Sequence, residues 1–373
     1  MLFKTKKEDL KAVLNAISGI PVKDNTSVQS HLLFILENKS VYVMAASRYC
    51  MGYKKLVVEL GDGKDCKFTV NAKNLKDFVD TANEDIEFSY YTDKVMVTSG
   101  KTSFHLQSFT PDKFFDFRND LESETPLATF ELPAPIFINI LKSGLAYTDD
   151  PTESYDFIDL RGNYVIAGFM RKFFFSNLNI QLPYNKSIVF DKNVINPLTT
   201  FFKAGENPFN IKVYNNKVFL SIDDSYFAFF SSNKSHSDDV VEKFVNSDET
   251  KNRAFKIDRE ALSTIIARAT ITESLKSQFK VYKVDNQAFV DVITFDKTGL
   301  PLSQNQIPVE DWIYDNFSFM CNHEDIHTAL KSLPSGNKIK FVFFNKYFRI
   351  TDDTLETSIP KNKVFLVYYV NEG

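Results

Sequence analysis

Apolar residues recur at three- and four-residue steps in three stretches of the chain, FKTKKEDLKAVLNAISGI from Phe3, FELPAPIFINILKSGLAY from Phe130 and FKIDREALSTIIARATIT from Phe255. Leu10, Val13, Leu14 and Ile17 make one stripe in the first, and Leu262, Ile265, Ile266 and Ala269 make one in the third. This spacing predicts amphipathic helices, each led by a short strand and each keeping one wet face. The starts lie about 125 residues apart, a domain-sized period.

A second strand-then-helix pattern follows inside each period: FTVNAKNLKDFVDTAN from Phe68, SIVFDKNVINPLTTFFKAGE from Ser187 and FSFMCNHEDIHTALKSLPSG from Phe317. Behind each come two alternating segments, such as KVMVTS and KVFLSI, which read as antiparallel hairpins. The chain therefore reads as an α+β protein of three tandem repeats, each with two helices and about eight strands built from two similar halves. The pattern lapses in polar stretches at 112–127 and 231–254, which predicts domains at 1–122, 123–250 and 251–373.

Composition narrows the picture. With 373 residues, 43% hydrophobic and 25% charged, the chain has material for ordinary globular cores and is too long for one. A net charge of -4 gives no global basic signature, so any nucleic-acid site must be a local patch. Three scattered cysteines, Cys50, Cys66 and Cys321, argue for a reducing, cytoplasmic setting and against a disulfide framework. No apolar run has the roughly 18 residues of a spanning helix, so no membrane role is expected.

One motif invites an enzymatic reading. HEDIH, from His323 to His327, matches the H-E-x-x-H zinc pattern, in which two histidines one turn apart bind the metal and the glutamate is the base. Aligning the apolar stripes sets Ile326 with Ile195 and Leu75, so His323 falls opposite Lys192 and His327 opposite Lys76. Both histidines are therefore expected on a solvent-facing polar face, and no His or Cys follows His327 to supply a third ligand. With no phosphate loop and no nucleophile elbow either, the expectation is a non-enzyme with no metal and no cofactor; a zinc hydrolase acting through Glu324 is the remote alternative.

Order, spacing and repeat phase together resemble the bacterial DNA polymerase III beta subunit, the three-domain sliding clamp, and equally its phage-encoded counterparts. The specific echoes are FKTKKEDLKAVLNAISG, SHLLFILENKSVYV, the run from VNAKNLKDFVDTAN to HLQSFTPDKF, and REALSTIIARATI. The resemblance implies a crescent of three clamp domains that dimerises into a six-domain ring, strands outside and helices lining a pore around duplex DNA. It implies sequence-independent contact with double-stranded DNA, a replicative DNA polymerase and an ATP-driven clamp loader as partners, and no chemistry of its own. A clamp-fold interaction hub for transcription or repair proteins is the alternative.

The polar helix faces carry Lys7, Lys11, Lys73, Lys76, Lys142, Lys192, Lys203, Arg259, Arg268 and Lys331, which fit phosphate contacts of that kind, and Lys23 resembles a family DNA-contacting position. Alignment with the family's partner-peptide cleft implies Tyr155, Gly168, Met170, Arg171, Lys172, Phe173, Lys243, Phe244 and the C-terminal Leu366, Val367, Tyr368, Tyr369 and Val370. Here Met170 to Phe173 replaces the family's Gly-His-Arg-Leu-like run, and Tyr368 to Val370 replaces its Met-Pro-Met ending. Family interface positions fall on Phe104, Leu106, Ile271 and Thr272; a polar residue at 272 implies a more readily opened dimer.

Overall fold

The computed structural model describes residues 1–21, 27–61, 64–91, 94–114, 124–148, 155–169, 171–202, 207–245, 252–271, 276–334, 336–344, 347–352, 362–367 and 369–370. Among them are seven α-helices: α1 (Lys7–Ile17), α2 (Ala72–Thr81), α3 (Ala134–Leu145), α4 (Lys192–Phe201), α5 (Asp238–Val245), α6 (Arg259–Ile271) and α7 (His323–Ser332). Six are the helices expected from the apolar stripes, two to each tandem repeat. The seventh, α5, lies in the polar stretch expected to be a plain connector.

The described residues form two compact units, residues 1–138 with 193–232, and residues 139–192 with 233–373, so the second repeat is divided between them. Sheet pairing explains the division. In the first unit an eight-stranded sheet is joined where Ser225–Phe230 of the second repeat pairs antiparallel with Cys50–Leu56 of the first, Phe227 opposite Gly52. In the second unit a thirteen-stranded sheet is joined where Lys172–Asn177 pairs with Asn362–Val367 of the third repeat, Phe174 opposite Val364. Continuous antiparallel ladders thus join one repeat to the next in the same manner as strands within a repeat.

The cores repeat with the sequence. Phe3 stacks on Phe88 at 4.7 Å and Phe34 on Phe68 at 5.1 Å; in the third repeat Phe255 stacks on Phe341 at 4.9 Å and Phe279 on Phe319 at 4.8 Å. The ladders make these pairs counterparts, since Phe3 faces Phe88 and Phe255 faces Phe341 across neighbouring strands. Offset-stacked rings buried on one sheet face supply both area and geometry. Against these faces lie Leu10, Leu14 and Ile17 of α1 and Leu262, Ile266 and Ala269 of α6, all buried. A smaller cluster in the first unit joins Met44, Met51 and Phe114 to Tyr214 and Phe219, and one in the second joins Ile166, Phe173, Phe175 and Phe365.

Candidate nucleic-acid interface and partner cleft

Helix-face cations divide into those committed inside the fold and those left to solvent. The Lys7 ammonium donates to the carbonyl of Ala82, the C-cap of α2, at 2.6 Å. Arg259, its counterpart one residue into the first helix of the third repeat, donates to the carbonyls of Leu330 at 2.6 Å and Leu333 at 3.1 Å, and to that of Pro334. Both satisfy orphan carbonyls at a helix C-terminus, where a cation also complements the macrodipole. Lys11 pairs with Asp80 of α2 at 3.2 Å. Lys73, Lys142, Arg268 and Lys331 are exposed, and Lys76 and Lys192 are half-buried. None of these six pairs with a carboxylate among the described residues. Lys23 and Lys203 lie outside the described residues.

The cleft positions all fall in the second unit, and a residue the sequence reading missed organises them. His236 is 1% exposed, its ring centroid 5.0 Å from that of Phe157, 5.6 Å from Tyr155 and 6.4 Å from Phe173. Its Nε2 donates to the Gly168 carbonyl at 3.0 Å, and its backbone N–H donates to Oδ2 of the buried Asp159 at 3.1 Å. Arg161 donates to the His236 carbonyl at 2.8 Å and to the Asp238 carboxylate. Lys234 pairs with Asp156 at 2.9 Å. The stretch expected to be a polar tether is thus fixed to the second repeat's sheet, because its polar side chains find partners there.

Two expected cleft cations are engaged internally. Arg171 grips Asp325 of α7 with Nε to Oδ2 at 3.0 Å and Nη2 to Oδ1 at 3.3 Å, a bidentate pair. The Lys172 ammonium donates to the Ala146 carbonyl at 3.0 Å and sits 5.7 Å from the Tyr147 ring centroid. Phe173 and Leu366 are buried in the sheet core. The backbones of Lys243 and Phe244 lie on α5, and those of Val367, Tyr369 and Val370 on the strands Asn362–Val367 and Tyr369–Val370. Met170 and Tyr368 lie outside the described residues.

The HEDIH helix corrects one expectation. His323 is not solvent-facing: it is 5% exposed, as is Asp325, while His327 is half-buried and held below its usual pKa by burial and by Lys331. Side chains of a helix tilt toward its N-terminus, so a residue in the first turn leans back over the strand that leads in; stripe alignment overlooks this. Among the described residues no three His, Cys, Asp or Glu side chains gather to hold a metal.

Burial raises the Asp325 carboxyl above the usual range, partly offset by Arg171 and Lys172. A carboxyl whose folded pKa exceeds its unfolded value binds its proton more tightly in the fold, so wild-type stability gains as pH falls through that raised value toward about 3.9. Asp325→Asn should remove this gain. Urea midpoints followed by fluorescence of Trp312, the single tryptophan, 3% exposed in the second unit, check it. The wild type should improve relative to the variant as pH drops through the acid range; a pH-independent difference would contradict the assignment.

The positions expected at a dimer interface lie on a sheet edge and at a helix end in their own units. Phe104 is 54% exposed on Thr102–Gln107, the edge strand of a five-stranded sheet, and Leu106 beside it is buried. Ile271 ends α6 at 82% exposure, and Thr272 lies outside the described residues. Leu300 and Leu302, at 64% and 44%, flank and begin the strand Pro301–Glu310.

No family sequence model matches this chain, and no curated protein sequence does. Solved structures do match. The chain is similar over 100% of its length, and 100% of the other, to the DNA polymerase III subunit beta from Pseudomonas aeruginosa, at TM-score 0.84 and 13% identity. It is similar over 99% of both chains to the DNA polymerase III beta subunit from Thermotoga maritima, at TM-score 0.80 and 15% identity. It is similar over 100% of both chains to the Helicobacter pylori beta clamp bound to a DNA ligase peptide, at TM-score 0.82 and 15% identity. The chain has the fold of the bacterial sliding clamps, as its repeats imply. No helix among the described residues is long and apolar enough to cross a membrane.

Proposed function

We propose that this chain is a DNA sliding clamp: a homodimeric ring that encircles duplex DNA and tethers a replicative polymerase without chemistry of its own. The full-length likeness to bacterial clamps carries this reading. The three tandem sequence repeats support domains at 1–122, 123–250 and 251–373, and an ATP-driven loader would be needed to open a closed ring. The H. pylori clamp takes a ligase peptide, which supports peptide partners for this chain near His236, Phe173 and α5, with altered preference because Arg171 and Lys172 are engaged internally.

The repeat also supplies a register for the dimer. Phe227 and Val364 reach the repeat starts Phe130 and Phe255 through the ladders Leu220–Ile211 and Ile350–Phe341, and Phe104 reaches Phe3 in the same way through Val97 and Phe88. Across the two joints within the chain, Phe227 faces Gly52 and Val364 faces Phe174. The third-repeat counterpart of Gly52 and Phe174 is Ser303, by way of Thr294, Ser277 and Cys321. A ring closed by the same rule sets Phe104 opposite the partner's Ser303.

DNA contact would fall to Lys73, Lys76, Lys142, Lys192, Arg268 and Lys331, the cations free of internal pairing. Reversing Lys73, Lys142, Arg268 and Lys331 to Glu should weaken binding to a short duplex and flatten its salt dependence, since each phosphate contact contributes about 0.9 to the slope of log K against log salt. The decisive test loads the protein onto nicked circular DNA, washes at high salt, then linearises. Retention on circles and release from cut DNA is expected; equal retention on both would overturn encirclement.

A further inference from the structure

The connector that leaves each of the first two repeats is pinned to its sheet by a histidine–phenylalanine ring pair, with the roles exchanged between the two. His31 and Phe157 are counterparts, since each begins a strand and faces the residue that leads into a helix, Asn71 before α2 and Asp191 before α4. In the second unit the sheet supplies Phe157 and the connector supplies His236, their centroids 5.0 Å apart. In the first unit the sheet supplies His31 and the connector supplies Phe109, 4.4 Å apart.

The first connector forms a strap over its sheet. Beyond the strand Thr102–Gln107 it brackets the buried Thr69, whose N–H donates to Ser108 Oγ at 3.1 Å and whose Oγ1 accepts from the Phe109 N–H at 2.8 Å. After the turn Pro111–Lys113, Phe114 is buried in one cluster with Met51 of the first repeat and Phe219 and Ala228 of the second. The strap therefore crosses the joint between the strands Cys50–Leu56 and Ser225–Phe230.

The two histidines differ in what a proton would meet. Nδ1 of His236 lies 3.7 Å from Oδ2 of the fully buried Asp159. His31 is 3% exposed, and its Nδ1 has no hydrogen-bond partner. Its neighbours Ser30, Asn71 and Phe109 are neutral, and the charged residues on the elements packed there, Lys73 of α2 and Asp112 and Lys113 of the connector, are exposed. Burial alone holds the His31 ring below its usual pKa.

We infer that His31 makes the first connector a proton-released strap. With the ring neutral, Phe109 stays against it and the strap lies closed across the joint. Protonation places an unpaired charge in a buried site, which costs more than losing a ring pair, so the ring turns out to water and Ser108 to Phe114 lift from the sheet. The second connector stays down, because a charged His236 gains Asp159. The inference does not rest on DNA encirclement.

A histidine held neutral by burial contributes stability that is present above its ordinary pKa, about 6.5, and is lost as pH falls through that value toward the depressed one. Hydrogen exchange of the full chain tests this, read by mass spectrometry on peptides across 108–114 and 236–245 and corrected for the intrinsic pH dependence of exchange. Between pH 7.5 and 5.0 protection over 108–114 should fall severalfold, toward a ceiling of about thirtyfold set by the gap between pH 5.0 and about 6.5. Protection over 236–245 should hold, as should that of α1 and α2, which separates release of the strap from general acid unfolding. His31→Phe installs the residue the second repeat already has there, so its strap should stay closed at both pH values. His31→Gln should loosen the strap equally at both. Wild-type protection over 108–114 that does not change with pH, or that falls as far in either variant, overturns the inference.

Discussion

Replacing Phe104 with arginine is expected to leave the fold intact and convert the proposed dimer to monomer at concentrations where the wild type is fully associated. Phe104 makes an edge contact with Phe78 of α2 at 5.6 Å and is otherwise more than half exposed, so losing that ring pair costs about 0.5–1.5 kcal/mol of folding stability beyond the modest area it buries. In the proposed dimer it would stand in a new ladder, facing the partner's Ser303 near Leu300 and Leu302. Central aromatic anchors of this kind are each worth about 2–4 kcal/mol. At about 1.4 kcal/mol per tenfold, the dimer Kd should rise by roughly 30- to 1,000-fold. Sedimentation velocity across a dilution series measures it. Oxidative cross-linking of Ser103→Cys with Gln304→Cys, adjacent to that pair in the same register, should give a covalent dimer. A Phe104→Arg protein that sediments as the wild type does would place the interface elsewhere or remove it.

That register was legible in the sequence only in part. Phe3, Phe130 and Phe255 mark the repeat, because a buried aromatic ahead of an amphipathic stripe is a local signal that survives when little else is shared. Which edges remain unpaired depends on ladders closed over long separations, and these appear only with the sheets. The same limit governs the cations. Lys7 and Lys73 look alike in sequence, both on the wet face of a helix, yet Lys7 meets a carbonyl 75 residues away and Lys73 meets solvent. Arg171 reaches Asp325 across 154 residues. His236 gave no signal at all, since a histidine between serines and aspartates reads as solvated until the rings of Tyr155, Phe157 and Phe173 are brought around it. His323 was misread for a local reason, the backward lean of first-turn side chains, which a finer reading of the helix start would have caught.

Gly168 is the position where the second unit should prove least tolerant. Its φ of +100° is one that L side chains rarely adopt, and a Cβ there would lie 2.2 Å from the Lys172 carbonyl oxygen and 3.2 Å from the Phe173 Cα. Both are backbone atoms of the paired strand, so the clash cannot be relieved by turning a side chain. Strain of about 1–3 kcal/mol and overpacking of about 1–3 kcal/mol together give an expected loss of about 2–6 kcal/mol for Gly168→Ala. Gly162 supplies the control. Its φ is +57°, but a Cβ there meets nothing within 4 Å, so Gly162→Ala should cost only the backbone term, about 1–2 kcal/mol. Urea titration read from Trp312 compares the two, and the excess for Gly168 measures how rigidly the Gly168–Phe173 pairing is held. A large excess means that His236, which donates to the Gly168 carbonyl, is seated by the sheet, and Gly168→Ala should then also impair peptide binding near α5. Equal costs would mean that the ladder yields at this point, and that His236 is held by Asp159 and its ring neighbours instead.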